Sequence, residues 1–200
     1  HAQNRMSSLN GGAHVVLNPV DKWMQGFYDA TSEERSQGGS SPFLFAGRLI
    51  EGKGIFVLAR ALEQIDGEFE TRIVIAGEGR EEEQFRRRTE ALDTIQVNFA
   101  GRLDTEVLVK RYQNARALLV PSTTHKEGNP LVVAEALFAG TPVIASDQPP
   151  MIESVGNAGI IVEQGDSEEL ASALRTCWHD DETYQTLRRE ARKRASKFSF

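Results

Sequence analysis

The chain has 200 residues, 40% of them hydrophobic and 26% charged, with a formal net charge of -6 and an isoelectric point near 5.3. That composition suits a soluble globular protein with one good core, and the acidic balance argues against a nucleic-acid or anionic-membrane surface while leaving room for a local basic pocket. Cys177 is the only cysteine, which excludes an internal disulfide, and no run approaches the ~18 consecutive apolar residues of a membrane span, so a reducing cytoplasmic setting is expected.

The start, "HAQNRMSSLNGGA" (residues 1–13), lacks the apolar centre of a signal peptide and reads as a flexible lead-in or an expression scar. Residues 14–200 read as one domain. It opens with "HVVLNPVDKWM", a short extended segment, followed by "YDATSEERSQGGSSP", a polar loop rich in glycine and serine. Regular structure begins at "PFLFAG", an apolar run ending in Gly47, after which Ile55, Leu58, Ala59, Leu62 and Ile65 recur at helical spacing.

The pair then repeats. "TRIVIAG" precedes the helical pattern "REEEQFRRRTEAL", "IQVNFAG" precedes "DTEVLVKRYQNA", and "RALLVPS" precedes "NPLVVAEALFAG". Two further runs, "PVIAS" and "GIIV", lead to a helix capped by Asp166 with Leu170, Ala173, Leu174 and Cys177 on one face. Cys177 on that face reads as a core residue. Apolar runs alternating with amphipathic helices imply a parallel sheet covered on both faces, because each parallel crossover needs a helix to return the chain. The expectation is an α/β domain with a Rossmann-like parallel six-stranded sheet. Its ligands would lie beyond the carboxyl ends of the strands, in the loops after Ala46, Ala76, Ala100, Val120 and Ala145.

The first of these loops, "AGRLIEGKGI", sets Arg48 and Lys53 between glycines just before a helix. Free N–H groups, the positive end of the helix dipole and a bidentate guanidinium all favour an anion there, and a pyrophosphate would suit it. Gly47, Gly52 and Lys53 nearly spell a phosphate loop, but Gly54 stands where the Mg²⁺-binding Ser or Thr belongs. In "IAGEGREEEQF", Glu82 occupies the third glycine position of the dinucleotide fingerprint, so Gly77 and Gly79 read as a tight turn. The charge run that follows reads as a solvated helix face with Glu82 to Arg86 and Glu83 to Arg87 at i,i+4. The third loop repeats "FAGR" at Gly101 and Arg102, which either presents backbone to a base or closes a turn.

"KEGNPLVVAEALFAGTPVIAS" carries one carboxylate, Glu135, inside an apolar run from Pro130 to Ala139. An ionised carboxylate in an apolar helix needs a partner, a wet edge or a ligand. Asn129 can cap and Pro130 suits the first helical position, which puts Glu127 in the loop just ahead and Glu135 about two turns in. Acceptor-only carboxylates suit the hydroxyls of a sugar or ribose and suit phosphate poorly. The other reading makes Glu135 a buried ion-pair member and Glu127 a surface residue. There is no D-x-D, no G-x-S-x-G and no metal-ligand spacing among the histidines and Cys177, so no metal is expected.

From about Leu17 to Phe200 the chain resembles the carboxyl-terminal, donor-binding domain of the family 4 (group 1) retaining glycosyltransferases of GT-B fold. The matching pieces are "NPVD", "FAGRLIEGKGI", "IAGEG", "FAGRL", "LLVPS" and, most specifically, the E-x7-E signature "EGNPLVVAEALFAGTPVIAS". The resemblance implies that Arg48 and Lys53 bind the donor diphosphate and stabilise the leaving group without a metal, starting from Gly47. It implies Glu127 near the donor sugar, Glu135 on the ribose hydroxyls, backbone N–H groups from Gly128, Asn129, Pro130 and Leu131 toward the donor (proline itself offering none), and Gly101, Arg102 and Leu103 bordering the base. Asn129 stands where many members have an aromatic residue.

The implied substrate is a nucleoside-diphosphate sugar, UDP- or GDP-linked, with no further cofactor. The implied partner is an amino-terminal acceptor domain that precedes this half in complete members, so transfer by the chain alone is not expected. A peripheral position at the cytoplasmic membrane face is compatible with the family. A non-catalytic nucleotide-binding module, or a sugar-nucleotide epimerase of the same fold, is the alternative.

Overall fold

The computed structural model describes residues 41–124 and 131–195. The extended segment and polar loop read from residues 14–40 lie outside the described residues, apart from Ser41 and Pro42.

Six strands form one all-parallel sheet: β1 (Phe43–Ala46), β2 (Thr71–Ala76), β3 (Ile95–Gly101), β4 (Leu118–Val120), β5 (Val143–Ser146) and β6 (Gly159–Val162). Their spatial order is β3-β2-β1-β4-β5-β6. The chain builds outward from β1 to β3, then returns to start β4 on the other side of β1. Phe43 to Ala46 lie opposite Ile73 to Ala76, and Leu44 and Phe45 opposite Leu118 and Leu119, while the β2–β3 ladder shifts register between Ile75 and Ala76. This is the expected Rossmann-like parallel six-stranded sheet.

Among the described residues seven α-helices cover it: α1 (Ile55–Ile65), α2 (Glu82–Thr89), α3 (Thr105–Asn114), α4 (Leu131–Phe138), α5 (Pro149–Val155), α6 (Ser167–His179) and α7 (Asp181–Ala195). Because strand side chains alternate between faces, Phe43 and Phe45 point to one core while Leu44 points to the other. The first core joins Ile73 and Ile75 to Leu58 and Leu62 of α1, Phe85 of α2 and Leu170 and Leu174 of α6. The second joins Val74 and Leu118 to Val109 and Tyr112 of α3, Val133 and Leu137 of α4, Met151 of α5 and Ala191 of α7.

Local signals act as the sequence implies. The Asp166 carboxylate accepts from the N–H groups of Glu168 and Glu169 at 2.8 and 3.0 Å, satisfying two donors at the start of α6. Glu82 pairs with Arg86 at 2.9 Å and Glu83 with Arg87 at 2.8 Å on the exposed face of α2. Cys177 is fully buried, and desolvation pushes its thiol up to about 12. We therefore expect no reaction with an aromatic disulfide reagent at pH 8 in the folded chain and one equivalent after denaturation. Rapid stoichiometric labelling of the native chain would show the thiol to be accessible.

Candidate functional site

The loop after β1 leaves the sheet at Gly47 and carries exposed Arg48. Buried Leu49 anchors it: its N–H donates to the Glu78 carbonyl at 3.0 Å, and its own carbonyl accepts from the Glu81 N–H at 3.1 Å. Glu51–Lys53 then forms a single 3-10 turn in which Lys53 N–H bonds the Ile50 carbonyl and Gly54 N–H bonds the Glu51 carbonyl. This corrects one expectation. These two N–H groups are used inside the turn rather than left free, and α1 begins only at Ile55.

Gly54 has φ +75°, and a Cβ there would lie 1.6 Å from the Pro121 carbonyl oxygen. The phosphate-loop spelling thus fails for a steric reason as well as a chemical one. No Ser or Thr fits where the loop presses on the chain leaving β4.

The loops after β2 and β3 are stitched to the first. Gly47 N–H bonds the Ala76 carbonyl at 2.9 Å, and Gly77 N–H bonds the Gly101 carbonyl at 2.8 Å. A Cβ on Gly77 would meet the Gly47 carbonyl oxygen at 1.9 Å, and one on Gly79 would meet that of Leu49 at 2.1 Å. Gly77 and Gly79, read from sequence as a tight turn, therefore serve close backbone approach between neighbouring loops. Beyond Gly101, Arg102 is exposed and Leu103 packs against the second core.

The loop after β4 completes the end of the sheet. Thr123 N–H donates to the Gly52 carbonyl at 3.0 Å, and its hydroxyl donates to the Glu51 carbonyl at 3.2 Å. Buried Gln148, after β5, donates from Nε2 to the Ser122 carbonyl at 3.0 Å, a brace the sequence did not reveal. Glu127, Gly128, Asn129 and Pro130 lie outside the described residues. The chain resumes at exposed Leu131, the first residue of α4.

Glu135, one turn further on, is half-buried, and the Tyr112 hydroxyl of α3 donates to its Oε2 at 3.0 Å. Tyr112 is fully buried; desolvation first, then the Glu135 charge, hold its phenol well above the ordinary tyrosine range. Of the partner, wet edge or ligand that the sequence left open for Glu135, the structure thus supplies a protein donor, the Tyr112 phenol. Tyr112 escaped the sequence reading because an aromatic on the buried stripe of a helix gives no sign of what its hydroxyl touches.

Gly47, Arg48, Lys53, Gly101, Arg102 and Leu103 therefore sit on neighbouring loops at the carboxyl ends of the strands, with Leu131 and Glu135 on the helix that follows β4. A cavity of about 420 Å³, lined by Thr71, Arg72, Asp93, Thr94, Gln96 and Trp178, lies at the opposite end, beside the starts of β2 and β3. It is not part of this site. Among the described residues no helix is long and apolar enough to cross a membrane.

The strand order reverses between β1 and β4, and in doubly wound sheets the ligand crevice opens at that point beyond the carboxyl ends. The fold is thus a doubly wound α/β domain. Residues 30–194 match the family model "Glycosyl transferases group 1", and the chain belongs to that family.

It is 31% identical over 184 residues to a glycogen synthase of Mycobacterium tuberculosis, covering 90% of this chain and 43% of that protein. It is 31% identical over 185 residues to a phosphatidyl-myo-inositol mannosyltransferase of Mycolicibacterium smegmatis, covering 89% of this chain and 46% of the relative. The Anabaena protein HepE, solved in complex with UDP and glucose, superimposes with a TM-score of 0.70 at 22% identity, over 89% of this chain and 47% of that one. The chain spans less than half the length of these relatives.

Proposed function

We propose that this chain binds a nucleoside-diphosphate sugar across the carboxyl ends of β1 and β4. In the whole protein its glycosyl group would pass to an acceptor with retention of configuration and without a metal. Family membership supports a sugar-transfer role. The observation that carries the site is the contact between the two loops: Thr123 N–H on the Gly52 carbonyl and Gly54 against Pro121 set the Lys53 turn beside the chain that leads into α4.

In this reading Arg48 and Lys53 hold the diphosphate and offset the charge that grows on it as the glycosidic bond breaks, a stabilisation that acts most strongly in the transition state. Glu127 lies near the sugar, Glu135 takes the ribose hydroxyls, and Gly101, Arg102 and Leu103 border the base. Gly128 and Asn129 supply backbone donors. The base is uracil or guanine. The acceptor binds to the part of the protein that corresponds to the relatives' remaining length.

Ligand that binds the folded state alone raises the unfolding temperature, so UDP, GDP or ADP at saturating concentration should stabilise the chain in the presence of EDTA. A chain whose melting is unmoved by all three would speak against the donor site. Sugar transfer by the 200-residue chain alone at the rate of a two-domain enzyme would contradict the assignment of the acceptor to a separate part.

A further inference from the structure

We propose that Tyr112 is the positioning residue for Glu135, holding the carboxylate in the orientation that reads the ribose of the donor. The inference rests on the reading of Glu135 as the ribose ligand. Tyr112 is fully buried and cannot itself touch a nucleotide, whereas Glu135 is half-buried and can. The phenol reaches Glu135 Oε2 from a neighbouring helix at 3.0 Å.

Tyr112 is braced at its other end too. The Thr141 hydroxyl donates to the Tyr112 carbonyl at 2.5 Å, and the Thr141 N–H donates to the carbonyl of Ala136, the residue after Glu135. Backbone and side chain of Tyr112 are thus tied to the same stretch of α4. Val133, Ala134, Ala136 and Leu137 are buried around Glu135 and fix the helix itself, which leaves the rotation of the glutamate side chain to that side chain's own contacts. The phenol restricts that rotation.

The choice of a phenol has a chemical consequence. An arginine or lysine at this place would hold the carboxylate but cancel its charge and compete with incoming hydroxyls. A neutral phenol orients the carboxylate without itself cancelling its charge, and it can donate only one hydrogen bond where a carboxylate can accept about four. Burial keeps this phenol protonated, so it serves as a donor across the whole working pH range.

The test compares dissociation constants of UDP, GDP and ADP with those of their 2′-deoxy and 3′-deoxy forms, for the unchanged chain, Glu135→Ala and Tyr112→Phe. With the tightest of the three, removing a hydroxyl held by a charged acceptor should weaken binding by about tenfold or more in the unchanged chain. Glu135→Ala should bring the ratio near one. Tyr112→Phe should lower it markedly while leaving the affinity for inorganic pyrophosphate unchanged. Each ratio comes from one preparation, so a reduced folded fraction cancels.

If Glu135→Ala loses the discrimination and Tyr112→Phe keeps it, the positioning role is wrong and the ribose reading stands. If Tyr112→Phe weakens ribose and deoxyribose forms equally, its role is structural only, and the proposal fails. Discrimination that survives Glu135→Ala, or no binding of any of the three diphosphates, overturns both.

Discussion

Gly54→Ser is expected to unfold the site rather than complete a phosphate loop, although it supplies the hydroxyl that the sequence G-x-x-x-x-G-K lacks. Two costs combine. At φ +75° a residue with a Cβ loses roughly 1–2 kcal/mol relative to the right-handed region. The Cβ would also stand 1.6 Å from the Pro121 carbonyl oxygen, and a backbone atom cannot swing aside as a side-chain tip can. The loops after β1 and β4 must separate, breaking the bonds from Thr123 to Gly52 and Glu51.

We expect a loss of about 4 kcal/mol or more, in the range reserved for strained or overpacked positions. Gly67 supplies the control, because it has φ +82° and open space around its Cβ position. Gly67→Ser should cost only about 1–2 kcal/mol from the backbone conformation. Equal shifts in urea midpoint for the two variants would mean that the contact with Pro121 contributes nothing.

The second large effect is expected at Arg116, two residues before β4, whose side chain is only 6% exposed. Its Nε donates to the Cys177 carbonyl at 2.5 Å and its Nη2 to the Trp178 carbonyl at 3.0 Å. Those carbonyls belong to the last turn of α6, where intrahelical donors have run out, so the guanidinium acts as a cap delivered from another element. Its carbon also lies 4.3 Å above the Tyr184 ring of α7.

Arg116→Met should therefore cost about 3 kcal/mol, the scale for losing hydrogen bonds to a buried charge and leaving their acceptors unpaired. Asp181, 3.7 Å away but 90% exposed, adds little. Arg116→Lys should recover little, because one ammonium cannot reproduce the planar fork. Urea unfolding followed through tryptophan fluorescence measures both variants, and a loss of less than about 1 kcal/mol would contradict the capping role.

Much of the architecture is legible in the sequence because the parallel strands are short and largely apolar, and most are closed by a glycine or serine at or within two residues of their ends. Asp166 and the spacing of Leu170, Leu174 and Cys177 place α6 for the same kind of local reason. Long-range pairing is different. Nothing local states that β4 lies beside β1, which is what creates the crevice. The seven-residue helix α5 escapes the eye because it opens with Pro149 and Pro150 and buries only Met151, Ser154 and Val155.

Helix α7 hides for the opposite reason: it is strongly polar, and an arginine at its end binds another element. Arg194 donates to the carbonyls of Ser154 and Glu153. In the proposed site, the chemistry is argued from residue types, as with Arg48, Lys53 and Glu135. The contacts that position them do not show in sequence, since the roles of Gly54, Gly77 and Tyr112 depend on atoms more than 20 residues away.

The central claim is that the β1 and β4 loops form one diphosphate-binding crevice. The most direct test is calorimetric titration of the chain, Lys53→Ala and Glu135→Ala with UDP, GDP and ADP, with and without EDTA. One diphosphate should bind with a stoichiometry near one, indifferent to EDTA, and about tenfold or more weaker in each variant, the scale for losing one charge-assisted contact. Affinity unchanged in both variants would place the nucleotide elsewhere and contradict the account.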